Sequence, residues 1–341
     1  MSEQRRDRNA GAGASRGRTP VLSEASEREP VERRHVATEG PHQGRRMSLR
    51  AREALAAYGF LSPWLVGLVG LTLGPMIYSL YLSFTRYNLL TAPEWRGLSN
   101  YRAMLDDPRF LHSVGVTLRY AVIAVPSILV VSLAVAAILN QGMRFLSFYR
   151  AAFYLPSLVG ASVAVSLLWR QMFGGDGVVN VALKAVGTTG RTWIGDPSTA
   201  LSTLILLSVW TFGSPMIIFL AGLRQVPKEL YEAAEVDGAG RIRRFVSVTL
   251  PMISPLIFFN VLLTTVNALQ AFTPAYVVSN GTGGPADSTL FYTLYLYQRG
   301  FATLDMGYAS AMAWVLVVVL AVFTAVMFAT ARFWVHYGDE R

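Results

Sequence analysis

Six stretches of this sequence stay apolar for longer than a helix on a water-facing surface does, and they decide the class of fold before any motif is considered. They lie at approximately 60–84, 113–139, 153–173, 201–222, 252–279 and 308–331. A helix needs about 20 residues to cross a hydrocarbon core of roughly 30 Å. The expectation is therefore an all-α membrane protein with six transmembrane helices. Composition supports it: 52% of the 341 residues are hydrophobic and 15% charged, whereas soluble domains carry about a quarter charged.

Several chemistries are excluded at once. The chain has no cysteine, so disulfides, thiolate zinc sites, cysteine nucleophiles and lipidated cysteines drop out. Lys184 and Lys228 are the only lysines, and neither precedes Ser or Thr, so there is no P-loop for ATP. HExxH and GxSxG are missing too, and His112 alone among the four histidines lies near an outer membrane boundary. No catalytic, cofactor-binding or metal-binding residue is predicted. The helix interiors contain no Asp, Glu or Lys, which argues against a proton-driven carrier with an ionisable relay.

Charge sets the expected topology. Residues 1–58 are rich in Arg, Glu, Gly and Ser without apolar periodicity, a composition that cannot offset chain entropy. They are read as a disordered cytoplasmic tail. Arg5-Arg6 has no apolar stretch behind it until Phe60, too far for a signal peptide. With the N-terminus inside, the inner segments hold 21 of the 30 Lys and Arg, and Arg45, Arg46, Arg50 and Arg52 lie close to the first helix. The positive-inside rule then places both termini in the cytoplasm, although Arg86, Arg96, Arg102 and Arg109 in the first outer loop dissent. Membrane topology also accounts for the net charge of +9 without a nucleic-acid partner. A six-helix domain at 59–334, with an inner loop at 224–251, and a short cytoplasmic tail at 335–341 complete the expected organisation.

That inner loop reads RQVPKELYEAAEVDGAGRIRRFVSVTLPMISP. Pro227 suits the first helical turn, Glu229 and Glu232 suit the positive N-terminal end, and Gly238 and Gly240 can close the helix. A short helix from about Pro227 to Asp237 is expected. From physics alone it can be a solvated amphipathic helix.

The stretch Glu232 to Pro251 resembles the EAA signature of binding-protein-dependent ABC importer permeases: EAA, a glycine four residues on, nine more residues, then I-x-LP. Glu232, Ala233, Ala234, Gly238, Leu250 and Pro251 match, and Val248 stands at the isoleucine position. RAAFYLPSLVGASVAVSLLWRQMF (150–173), Trp210 to Pro227, TGGP (282–285) and MGYASAMAW (306–314) extend the resemblance from about Ala54 to Arg332. They are similar to the sugar and glycerol-3-phosphate permeases of the maltose-type group, the F-type half more than the G-type half.

The resemblance implies a type I ABC importer permease in the cell (inner) membrane, forming half of a translocation pore. Its partners would be a second, G-type permease, a cytoplasmic ABC ATPase dimer, an extracytoplasmic solute-binding protein and membrane lipid. ATP and Mg would be bound by the ATPase, not by this chain. Glu229, Glu232, Ala233, Ala234, Asp237 and Gly238 would form the coupling helix that docks on the ATPase, with Glu232 either facing donors there or capping its own helix.

For the cargo path, Asn260, Thr264, Asn267, Gln270 and Pro274 share one face of the fifth helix within roughly 120°. They either bond neighbouring helices or line a polar path. Gly213-Ser214-Pro215 interrupts the fourth helix, where Ser214 could reach a central cavity and Trp210 either stacks on a sugar or packs. Gly67, Gly70, Gly74 and Pro75 are read as a close-packing, kinked stretch of the first helix. A carbohydrate is the favoured cargo, and a phosphate ester such as glycerol-3-phosphate stays open through Arg170.

Overall fold

A computed structural model describes residues 49–142, 144–160 and 162–335. Residues 1–48 of the tail expected at 1–58, and residues 336–341, lie outside these described residues. Contacts divide the chain into units at residues 1–62 and 63–341, and the bundle below belongs to the second.

Among the described residues, four helical segments are long and apolar enough to cross a membrane, Ala57–Ser83, Pro108–Leu139, Ser254–Val278 and Met306–Trp334, and two bent pairs bring the number to six if each is one span. The pairs are Leu146–Val159 with Val163–Met172, bent by 97°, and Ala200–Trp210 with Gly213–Leu223, bent by 43°. They are numbered first to sixth in chain order. Since direction alternates from span to span, the fourth span leads into helix Lys228–Val236 at one end of the bundle. Residues 84–107, 173–199 and 279–305 gather at the opposite, far end.

Three expectations need correction. Helix Leu49–Gly67 takes up the last ten residues of the tail anticipated to end at 58, because LRAREALAA is built from strong helix formers. The third run is two helices, not one: Pro156 and Gly160 precede the break, and Ser162 restarts the chain by accepting from the N–H of Val165 at 3.3 Å. In the first span a side-chain carbon added at Gly67 or Gly70 would meet no neighbouring segment within 4 Å. Instead of close packing, Leu68–Leu73 forms a π-helical turn, a common cause of helix distortion.

The second span, 32 residues long, is the central post. Ala121, Ala124, Ser132 and Ala136 are buried along it, and small residues let helices approach where lipid supplies no hydrophobic driving force between them. One apolar cluster surrounds its far half, including Phe291, Tyr292, Leu294 and Met312. Another surrounds its coupling-end half, including Met216, Phe219, Leu220 and Ile253. The fifth span is also interrupted: Ser254–Leu269 ends at Gln270, and Pro274 sits in the first turn of Thr273–Val278. A small hairpin pairs Thr85 with Trp95 and Arg86 with Glu94 after the first span.

Candidate functional site

The two helix interruptions face one another across a cavity of about 510 Å³, within the roughly 300–1,000 Å³ of small-molecule sites. Gln270, Thr273 and Pro274 line it from the fifth-span break, with Asn267 and Thr264 one and two turns earlier. Thr211, Ser214 and Pro215 line it from the fourth-span break, and Ser208, Ser157 and Tyr120 complete its polar wall. Broken helices are tolerated at membrane depth where they border such a space. The wall offers hydroxyls and amides, which donate and accept hydrogen bonds, and no charged side chain.

Of the residues expected on the path, Ser214, Thr264, Asn267 and Gln270 are thus brought together. Asn260 and Trp210 are not. Asn260 is 2% exposed and donates to the carbonyl of Leu256, in its own helix, at 2.9 Å. The Trp210 ring packs 6.3 Å from that of Trp169, which in turn donates to the Thr203 carbonyl at 3.0 Å. Tyr120, Ser157, Ser208, Thr211 and Thr273 went unforeseen, since single polar residues in apolar runs carry no periodic signal. Arg170 is committed elsewhere, bonded to the side-chain oxygen of Asn280 and the carbonyl of Val277.

At the other end, helix Lys228–Val236 starts from Pro227 as its cap residue, one position before the expected first turn, and no side chain caps it. Glu232 therefore does not cap its own helix, and it has no ion pair among the described residues. The helix closes in a Schellman arrangement: the N–H of Gly238, at φ +75°, bonds the Glu235 carbonyl at 3.0 Å, and that of Ala239 bonds the Ala234 carbonyl at 2.9 Å. Two side chains tie it to the chain that re-enters the bundle. Tyr231 and Thr249 share a hydroxyl hydrogen bond of 2.9 Å, and Arg244 pairs with Glu235 at 2.7 Å. Glu229, Glu232, Ala233 and Asp237 are exposed, as are Leu230 and, at 89%, Val236. A rigid helix, fastened at both ends and open along one face, can pass a partner's movement into the fourth and fifth spans.

The far end holds a polar hub that no sequence pattern announced. Asp107 caps the second span by accepting from the N–H groups of Arg109 at 3.0 Å and Phe110 at 3.3 Å, and its other oxygen accepts from the hydroxyls of Tyr295 at 2.6 Å and Tyr308 at 2.8 Å. Arg109 grips Asp287 through two bonds of 2.8 Å, and Arg299 pairs with Asp305 at 3.0 Å. Burial opposes the charge on Asp107, but the two phenols and two N–H groups outweigh it and hold its carboxyl below the ordinary 3.8. Burial, with the bond to Asp107, pushes the Tyr295 phenol up to about 12.

Asp107→Asn is accordingly expected to cost about 1–3 kcal/mol of stability at neutral pH. A carboxyl whose pKa is depressed on folding stabilises fully above its unfolded value and loses that contribution as pH falls through the folded one. The melting difference between wild type and Asp107→Asn in detergent should be widest near pH 7 and narrow below about pH 4. A difference independent of pH would show that the charge contributes nothing.

Residues 103–335 match the family described as Binding-protein-dependent transport system inner membrane component. Among curated proteins, the chain is 50% identical over 291 residues to the Probable ABC transporter permease protein YesP of Bacillus subtilis (strain 168), covering 85% of this chain and 94% of that protein. It is 34% identical to the lactose transport system permease protein LacF of Rhizobium radiobacter, covering 84% and 99%. It is 32% identical to the arabinooligosaccharides transport system permease protein AraP of Bacillus subtilis (strain 168), covering 78% and 85%. Among solved structures, a chain of a bacterial alginate ABC transporter, in complex with a periplasmic protein carrying an alginate pentasaccharide, superposes with a TM-score of 0.71 at 20% identity, covering 82% of this chain and 95% of that one.

Proposed function

The chain belongs to the family of binding-protein-dependent transport system inner membrane components, and from that premise we propose that it carries a neutral carbohydrate through the cavity between its fourth and fifth spans. It is a multi-pass membrane permease subunit of an ABC importer, not an enzyme, and ATP is hydrolysed by a separate partner. The observation that carries the cargo reading is the uncharged polar wall of the cavity. Hydroxyl-rich cargo exchanges its water for such groups at little cost, whereas a phosphate ester brings a charge that needs a cation beside it. Arg170, the candidate cation, is engaged by Asn280 and lies off the cavity wall. The names of LacF and AraP, which transport lactose and arabinooligosaccharides, support the same class.

In this reading an extracytoplasmic binding protein releases sugar at the far end, a second permease closes the other side of the path, and an ATPase dimer holding ATP and Mg grips Lys228–Val236. Closure of the ATPase would turn the bundle outward, and hydrolysis would reset it. Both termini then face the cytoplasm, the orientation that the majority of the arginines favours.

The test is uptake by the complete importer, with its binding protein, in proteoliposomes. ATP-dependent entry of neutral sugars such as lactose or arabinotriose, without entry of glycerol-3-phosphate, is the expected result; the reverse selectivity overturns the cargo reading. Asn267→Leu and Gln270→Leu should each lower sugar uptake about three- to tenfold, the value of one or two hydrogen bonds. Recovery of the assembled complex should be unchanged, because both side chains are exposed to the cavity. Loss of assembly instead would make the stripe a contact between helices.

A further inference from the structure

Phe272 lines the cavity at the fifth-span break, and its ring opens a connected series that leaves the cavity towards the far end. The Phe272 centroid lies 5.3 Å from Tyr276 and 5.4 Å from Tyr297, those two tyrosines are 5.3 Å apart, and Tyr297 is stacked on Phe301 at 5.2 Å. The rings come from three elements: the loop at the fifth-span break, helix Thr273–Val278, and helix Tyr292–Tyr297 with the π-helical turn Gln298–Ala302 behind it. Phe272 and Tyr297 are half-buried, and Phe301 at the outer end of the series is 61% exposed.

We propose that Phe272, Tyr276, Tyr297 and Phe301 form a stacking track along which a carbohydrate passes between the far-end surface and the cavity. The inference rests on the carbohydrate reading above and adds a second binding surface outside the cavity. Three features select a sugar as the occupant. Pyranose and furanose rings present flat C–H faces that lie against the negative face of an aromatic ring, and each ring offers a large rigid area at small entropic cost. The phenols of Tyr276 and Tyr297 bond one another, and the hydrogen-bonding positions they have left can take up a sugar's own hydroxyls. Continuity with the cavity through Phe272 distinguishes the series from a ring of interfacial aromatics, which has no reason to lead inward. A track of several weak stacking sites also lets cargo move on, where one strong site would hold it.

The experiment uses the complete importer with its binding protein in proteoliposomes, supplied with lactose and arabinotriose as probes, and compares wild type with Phe301→Leu, Tyr297→Leu and the ring-preserving Phe301→Tyr. Phe301→Leu should lower uptake about three- to tenfold, more for arabinotriose than for lactose because a longer chain spans more rings. ATP hydrolysis stimulated by the loaded binding protein should stay normal, so that the sugar moved per ATP falls. Phe301→Tyr should restore uptake. Sugar uptake unchanged in both leucine variants overturns the track and leaves the carbohydrate reading standing. Failure of Phe301→Leu to co-purify with the other subunits also overturns it, making Phe301 a subunit contact. Failure of the wild type to take up any sugar, while it takes up glycerol-3-phosphate, overturns the cargo reading and the track together.

Discussion

Gly238→Pro is expected to abolish uptake while the variant chain still inserts and the ATPase still turns over. Gly238 holds φ at +75°, and proline is locked near −65°. Proline also lacks the N–H that bonds the Glu235 carbonyl at 3.0 Å. The Schellman closure of Lys228–Val236 is lost at a cost of about 3 kcal/mol or more, and the helix can no longer hold its angle to Arg241–Arg244 and the chain behind it. The damage is confined to an exposed turn, where a side-chain carbon added at Gly238 meets nothing within 4 Å, so the membrane bundle is spared. Gly238→Asn, which tolerates the left-handed conformation, should retain most uptake. Glu232→Lys asks the same question of the helix face. Glu232 is exposed, so reversing its charge leaves the chain's own packing alone, and a fall in uptake of about tenfold or more would report the partner contact directly. Measuring uptake and ATP hydrolysis side by side decides the matter: normal uptake by both Gly238→Pro and Glu232→Lys would sink the coupling assignment.

This end of the molecule was legible in the sequence because its signals are local. Proline, acidic first turn, alanines and glycine follow one another within a dozen residues, and the observed helix differs from the expected one by a residue at each end. The apolar runs were legible for a similar reason, since crossing a membrane needs an uninterrupted stretch in one segment. What the runs could not reveal is where a helix breaks inside them. The bend between Val159 and Val163 and the gap at Gln270–Phe272 depend on which neighbours, or which cavity, satisfy the freed backbone groups. The Asp107 hub was hidden by distance: its two tyrosine partners lie 188 and 201 positions away in the sequence. Asn260 shows the opposite failure. A helical wheel puts it on the polar stripe with Asn267, yet it lies nearer the coupling end, below the cavity, where packing closes over it and its amide turns back on its own helix.

Gly213→Ala should cost nearly as much transport as Gly238→Pro, by an unrelated route. The sequence marks Gly213-Ser214-Pro215 as a place where the fourth helix is interrupted, and the glycine turns out to be the point where two spans touch backbone to backbone. A methyl group at Gly213 would sit 2.3 Å from the carbonyl oxygen of Phe153 and 2.8 Å from the Cα of Tyr154, atoms that cannot rotate away as a side chain would. The third and fourth spans must part to admit it, and overpacking of this kind costs about 1–3 kcal/mol or more. Ser157 on one side of the contact and Ser214 with Pro215 on the other line the cavity, so the same displacement reshapes the path. An uptake loss of about tenfold or more is expected, with a lower melting temperature. Gly115→Ala provides the control, being the same substitution in the second span with nothing within 4 Å of the added atom. If Gly213→Ala and Gly115→Ala behave alike in both uptake and melting, close approach at Gly213 is not what shapes the cavity.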